Sequence, residues 1–512
     1  MHRSLVNKMK KRTLGIVLSY MLIIIDILVG ILFVPILLKS LGDEEYGLYK
    51  LLLSTASYLA VLDFGIGGTI TRYVVKFRAE KDENKTQNFL AMGFIIYFAL
   101  ATLVMVLATV ICFLLPVLYA SSIPSSQMWY ARGIFFILCG STALSLFNHA
   151  YNGLTLAYEK YSYAKIINIA KIAIRVTLVL VLLRFFQSAF IVVIVDFALT
   201  VLILLINIFY TRFHLNCKIK LHKWEGKLAK EAFIFTIAIL LQSIINQFNS
   251  NLDNIVLGIY TTTATVAIYS IALQIYSMYS SLSTAISSMY LPAISKAVFE
   301  GKSDDEITDM VIEPSRLQLA ILLLALTGFI LFGKTFISLW VGETYIEVYP
   351  LCCILLGTSI FNLSQNTITS VLKAKNILHG KTWILLAATG INALLTFILV
   401  PQIGMLGATI GTGFSMLVGY GIALNFYYHK VAKVNMIKYY IETYRGIFPT
   451  ALLSFSVGLG ISIIPLTDWW GFIIKALVYS VLYLIILLLI GLNKTERYKM
   501  HKLFMRIKKN KE

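Results

Sequence analysis

Lys171 and Arg175 stand four residues apart inside the apolar run 166–183, so on a helix their side chains share one face. A charge held mid-helix in hydrocarbon costs roughly 2.5–3.5 kcal/mol on insertion scales, which marks such residues as functional candidates. Arg175 lies about ten residues past the start of its run, the cytoplasmic edge, and so ~15 Å deep at 1.5 Å per residue. Its guanidinium does not lose its proton, so it must meet a carboxylate, water or an anionic ligand. Two readings follow: contact with a phosphate-bearing substrate, or pairing with an internal aspartate. Lys171 is shallower and either touches ligand or snorkels to the membrane surface.

Four aspartates also fall in or beside apolar runs: Asp26, Asp63, Asp196 and Asp253. Each can pair with a buried cation or hold a coupling ion, proton or sodium; a structural ion pair is the plainer role. Arg72 follows Asp63 towards the cytoplasmic end of the same segment. Polar residues recur at helical spacing in three runs: Gln242, Asn246, Asn249 and Asp253; Ser141, Ser145, Asn148, Asn152 and Thr155; Asn362, Asn366 and Thr369. Interhelical hydrogen bonds would explain one such stripe. Three of them favour a hydrated cleft. The candidate substrate contacts are therefore Arg175, Lys171, Arg72, Asn148, Asn152, Asn246, Asn249, Asn362 and Asn366. Asp26, Asp63, Asp196 and Asp253 are the candidates for ion coupling or charge pairing.

Catalytic and metal signatures are lacking. Cys112, Cys139, Cys217, Cys352 and Cys353 show no CxxC spacing and the seven His no HExxH, so neither a metal nor a cofactor is expected. Gly328 to Thr335 fits a phosphate-loop pattern, but it lies in an apolar helical run with its lysine on the outer side. Asp63-Phe64-Gly65 lacks every other kinase element. Gly65, Gly67 and Gly68 fit close packing or a helix break better, and His149 reads as a buried hydrogen-bonding residue before a proton relay.

The elements that must hold these residues follow from composition. Of 512 residues 58% are hydrophobic and only 13% charged, against about 25% charged in soluble domains. A soluble enzyme and a disordered chain are both excluded. Only helices and closed barrels span lipid, and runs of about 20 apolar residues are long enough to cross. Fourteen are expected: 14–38, 46–70, 89–115, 131–156, 166–183, 189–210, 232–260, 264–293, 317–341, 349–372, 383–400, 404–428, 447–465 and 471–491. The first is too long for a signal-peptide core and reads as retained. With this count 36 of the 44 Lys and Arg fall in loops on one side and 4 on the other, which puts both termini in the cytoplasm. The net charge of +19 is thus juxtamembrane and faces anionic lipid, not nucleic acid. No loop is long enough for a soluble catalytic domain.

The chain also repeats. Ser145, Asn148, Asn152 and Thr155 match Ser359, Asn362, Asn366 and Thr369 at one offset of 214 residues. Six spans per repeat give parallel repeats. The expected fold is an all-α membrane protein with two six-helix bundles around a central cavity plus two C-terminal helices. The domains are 1–210, a basic cytoplasmic linker 211–231, 232–428, the two added helices within 429–491, and a basic tail 492–512. Such an architecture suits an alternating-access transporter.

The segment Pro35…Leu41-Gly42…Tyr46-Gly47-Leu48-Tyr49…Leu62-Asp63-Phe64-Gly65 resembles the opening of Wzx-type oligosaccharide flippases, of the multidrug/oligosaccharidyl-lipid/polysaccharide exporter superfamily. Asn251-Leu-Asp253-Asn254…Leu257-Gly258…Tyr269 and Pro401…Gly404…Gly407-Ala408 are similar too, so the likeness covers essentially the whole chain. The resemblance implies a non-enzymatic carrier of undecaprenyl-diphosphate-linked sugar repeat units in a bacterial cytoplasmic membrane. It also implies a cationic cavity, with Arg175, Lys171 and Arg72 at the matching locations. Expected partners are the lipid-linked oligosaccharide, membrane lipids, a coupling cation, and glycosyltransferases and a polymerase of the same pathway. The alternatives are a multidrug or cation antiporter of the same fold, using Asp26 or Asp253, and a membrane glycosyltransferase or polymerase.

Overall fold

The computed structural model describes residues 2–498. The expected basic tail lies outside the described residues from Lys499 onward. Among the described residues every regular element is a helix: α1 (His2–Ser57), α2 (Ile66–Ala79), α3 (Glu83–Leu118), α4 (Met128–Ala157), α5 (Tyr161–Leu183), α6 (Ala189–Phe209), α7 (Gly226–Tyr260), α8 (Thr263–Phe299), α9 (Asp304–Trp340), α10 (Val348–Ser364), α11 (Ile368–Ala374), α12 (Leu378–Ile403), α13 (Met405–Met416), α14 (Leu424–Lys430), α15 (Met436–Tyr444), α16 (Ile447–Ser462) and α17 (Trp469–Ile486).

Local chemistry sets the ends. Asp82, Ser188, Asn435 and Asp468 each accept a hydrogen bond from the first turn of the helix that follows, which satisfies donors that no carbonyl can reach. Ser303 and Glu306 close a reciprocal capping box on α9. Gly42 interrupts α1 with φ 76°, a left-handed value that favours glycine. The second predicted segment breaks again: a 3-10 turn, Tyr58–Asp63, is followed by Phe64 and Gly65, both left-handed, at φ 52° and 66°.

Among the described residues ten helical segments are long and apolar enough to cross a bilayer, eleven if the bent pair α10–α11 is one span. One of them, Met21–Ala79, runs 59 residues, ~88 Å at 1.5 Å per residue and nearly three times the ~30 Å hydrocarbon core. It therefore holds more than one pass. The Gln, Asn and Ser-rich α7 and α8 are not among the ten. Phe98, Phe113 and Val117 stand exposed on α3, which lipid explains and water does not. The chain is a multi-pass membrane protein.

The described chain divides into two compact units. The first joins 1–271 with 393–408; the second joins 272–392 with 409–512. In the first, α2 and α4 meet through glycines. A Cβ on Gly153 would stand 2.2 Å from the Gly67 carbonyl oxygen, and one on Gly67 would stand 2.7 Å from that of His149. The Thr71 hydroxyl donates to the Gly153 carbonyl at 2.9 Å. In the second unit α10 bends by 42° into α11, where a single helix was expected over 349–372. Polar side chains serve the opened backbone: Ser283 donates to the Leu363 carbonyl at 2.6 Å and Asn366 to the Ser283 hydroxyl at 2.8 Å.

Candidate functional site

The charged cluster of the first unit begins with Arg175 on α5. Its Nε and Nη2 donate to the two carboxylate oxygens of Asp196 on α6 at 2.5 and 2.9 Å. Nη2 also reaches the buried Tyr49 hydroxyl at 3.5 Å, and the guanidinium lies 5.3 Å from the Phe33 ring centre. Asp196 is thus the internal aspartate, and Arg175 is held by three elements: α1, α5 and α6. Such bidentate pairing fixes a guanidinium in direction as well as in place.

Two further cations lie within electrostatic reach of that pair. Lys171, one turn before Arg175, feels both Arg175 and Asp196. Lys50 on α1 feels Arg175, and its ammonium sits 5.4 Å from the Tyr46 ring centre. Neither lysine forms a carboxylate ion pair among the described residues. Lys50, Lys171 and Arg175 against Asp196 leave two positive charges uncompensated in one half-buried region. Sequence reasoning placed Lys50 inside a span but gave it no role. An uncompensated lysine in an apolar run was the signal available.

The other candidates separate into distinct places. Asp63 accepts from the Tyr97 hydroxyl at 2.9 Å and pairs with His149 at 3.2 Å. Asp253 is buried and accepts from Tyr269 at 2.6 Å and Thr396 at 3.2 Å. Asp26 is exposed on α1 and Arg72 on α2. Asn148 is buried between α4 and α6, donating to the Thr200 carbonyl at 3.3 Å and accepting from Asn207 at 2.9 Å. Interhelical bonding accounts for it, as it does for Asn366. Asn246 accepts from Gln242 within α7 at 3.1 Å. Asn152, Asn249 and Asn362 are half-buried. The phosphate-loop look-alike, Gly328 to Thr335, runs inside the continuous helix α9.

Where the connection after α6 meets the loop ends of α2–α4, a cavity of 390 Å³ is lined by Arg78, Lys81, Asp82, Tyr158, Cys217 and Lys218, among others. Arg78 donates to the Ala157 carbonyl at 2.9 Å and lies 3.8 Å from the Tyr158 ring centre. Burial pushes the Tyr158 hydroxyl up to about 12 and raises the Cys217 thiol. Both therefore stay protonated at neutral pH.

Comparison with known proteins places the fold. The chain is similar to a solved structure of the lipid II flippase MurJ in an inward closed conformation, with TM-score 0.72, 14% identity, and coverage of 93% of this chain and 98% of that one. It is similar to an inward-facing multidrug resistance transporter of the MATE family and MOP superfamily, with TM-score 0.66, 11% identity, and coverage of 81% and 99%. At these identities the likeness shows the shared fold. A probable flippase, AglR of Haloferax volcanii, is 28% identical over 173 residues, 33% of this chain. The alignment spans about a third of that archaeal relative (36%). Residues 14–298 match the model of the polysaccharide biosynthesis protein family, and since that stretch is more than half of the chain, the protein belongs to this family, on the fold of the MOP superfamily.

Proposed function

We propose that the protein translocates lipid-linked oligosaccharide across a membrane for cell-surface polysaccharide assembly. The observation that carries this reading is the net positive cluster of Lys50, Lys171 and Arg175 around a single Asp196. A prenyl-linked sugar diphosphate cannot cross hydrocarbon with its headgroup bare. A site with excess cationic charge can hold the diphosphate while the prenyl chain remains in lipid. Lys50 and Lys171 offer the free charge, and Arg175, oriented by Asp196, fixes the geometry. In the same unit, the half-buried amide of Asn152 suits a sugar hydroxyl.

The remaining sequence expectations belong to the same proposal: fourteen passes, two six-helix bundles working by alternating access, both termini on one side, an undecaprenyl carrier and a bacterial cytoplasmic membrane. Glycosyltransferases and a polymerase would supply and consume the substrate. The fold shared with a multidrug transporter supports a second reading, an antiporter of organic cations. The excess cationic charge beside Asp196 disfavours it.

The test uses proteoliposomes with a fluorescent sugar diphosphate on a polyprenyl carrier, followed by the fraction accessible to an external quencher. Wild type should move the label across. Lys50→Gln and Lys171→Gln should each slow it at least ten-fold with unchanged reconstitution. Equal rates in wild type, both variants and empty vesicles would sink the proposal, and uptake of a lipophilic cation instead would favour the antiporter.

A further inference from the structure

Asp63 and His149 occupy a place that a purely structural ion pair has little reason to take. Asp63 ends the 3-10 turn at which the helix breaks, just before the two left-handed residues Phe64 and Gly65. A non-glycine residue at positive φ stores strain, and Phe64 is such a residue. The His149 imidazole joins this break to α4 through Nδ1 at 3.2 Å from the second carboxylate oxygen of Asp63. The Tyr97 hydroxyl on α3 holds the first oxygen at 2.9 Å. The Asp63 and His149 side chains remain 23% and 46% accessible, so the pair is not sealed inside the helix packing.

The charged and titratable groups facing the pair are Tyr97 from α3 and Lys171 from α5. At the same break α2 presents Gly67 to the His149 carbonyl, and α7 presents Ile239 to Gly65. Histidine is the side chain whose charge changes near neutral pH. Lys171 is therefore shared: it belongs to the cationic cluster and lies within electrostatic reach of His149.

We propose that Asp63 and His149 form a proton-binding site linked through Lys171 to anion binding, an inference that rests on the cationic cluster being the substrate site. An imidazolium at His149 repels the Lys171 ammonium, and an anion at Lys171 cancels that repulsion. Anion binding therefore draws a proton onto the pair. Linkage is reciprocal, so protonation tightens the anion by the same factor. Protonation also changes the bond across the break from one between a neutral imidazole and a carboxylate to an imidazolium–carboxylate pair, which ties proton occupancy to the geometry of the broken helix.

The experiment uses the purified full chain in detergent, with uridine diphosphate N-acetylglucosamine as a diphosphate diester that does not itself titrate near neutrality. Calorimetry in two buffers of different ionisation heat reads protons taken up per anion bound. Wild type should take up a fraction of a proton at pH 7, and affinity should rise roughly five-fold or more between pH 8 and pH 6. His149→Gln keeps a donor for Asp63, so it should bind the probe with both uptake and pH dependence clearly reduced from wild type. Uptake as large in His149→Gln as in wild type, or none in wild type, overturns the proton site and leaves the cationic cluster standing. No binding by wild type overturns the cluster reading instead. In that case ¹⁵N-histidine NMR without ligand decides: a resonance lost in His149→Gln must titrate between pH 5 and 8 and respond to Asp63→Asn, and a resonance that does neither overturns the pair.

Discussion

Arg175 on α5 and Asp196 on α6 meet side by side, two donors on two acceptors at 2.5 and 2.9 Å. One turn away on the same helix, Lys171 shares the field of this pair and, among the described residues, has no carboxylate of its own in an ion pair. The pairing turns one cation into scaffold and leaves its neighbours available.

Asp196→Asn should expose that division. Both side chains of the pair are 23% accessible, so the loss should be smaller than for a fully buried pair, about 1–3 kcal/mol of stability. A melting curve in detergent checks it. Translocation of a polyprenyl-linked sugar diphosphate should fall as well, because Arg175 loses its orientation.

The α2–α4 contact gives a paired prediction. Gly67→Ala places a methyl against the His149 carbonyl oxygen, whereas a Cβ on Gly68 meets nothing within 4 Å. Gly67→Ala should destabilise by about 1–3 kcal/mol through overpacking, and Gly68→Ala should leave the melting temperature nearly unchanged. The difference between the two variants is the measurement.

Arg316 on α9 is 3% exposed and pairs with Glu496 at 2.7 Å. It also donates to the carbonyls of Glu442, Arg445 and Gly491. Arg316→Gln leaves these acceptors and a carboxylate without their donor and should cost about 3–5 kcal/mol. Limited proteolysis should then cut the chain near Glu496 faster than in wild type.

Asp82 caps α3, accepting from the Lys85 amide at 2.9 Å. That bond and the Lys85 side chain hold its carboxyl below the ordinary 3.8. A lowered carboxyl stabilises the fold above its ordinary value, and the contribution disappears as pH falls through the lowered one. Hydrogen exchange at the Lys85 amide should therefore be protected at pH 6, lose protection under stronger acid, and be unprotected at both in Asp82→Ala.

The membrane class and the helical fold were legible because lipid forces the backbone to satisfy itself. The candidate charges were legible because an Arg or Asp in an apolar run stands out. Their pairings were not. In sequence any of Asp26, Asp63, Asp196 and Asp253 could partner Arg175, with a structural pair the stronger reading for Asp196; among the described residues it is Asp196 that meets Arg175. The matching stripes on α4 and α10 hid a difference too: α4 is continuous through Asn152, whereas α10 ends at Ser364 and bends into α11. Spacing reports which side chains share a face, and the partner across the interface decides whether an amide serves structure or cavity.

The connection from α6 to α7 is stitched down at both ends. The Cys217 amide donates to the Thr211 carbonyl, and the amides of His222 and Lys223 share the Asn88 side-chain oxygen while Glu225 takes the Asn88 nitrogen. Residues 218–221 lie between these fastenings and take part in none of the bonds just named. A reporter spliced into that short window would leave every stitch intact, whereas a splice a few residues to either side would unpick one.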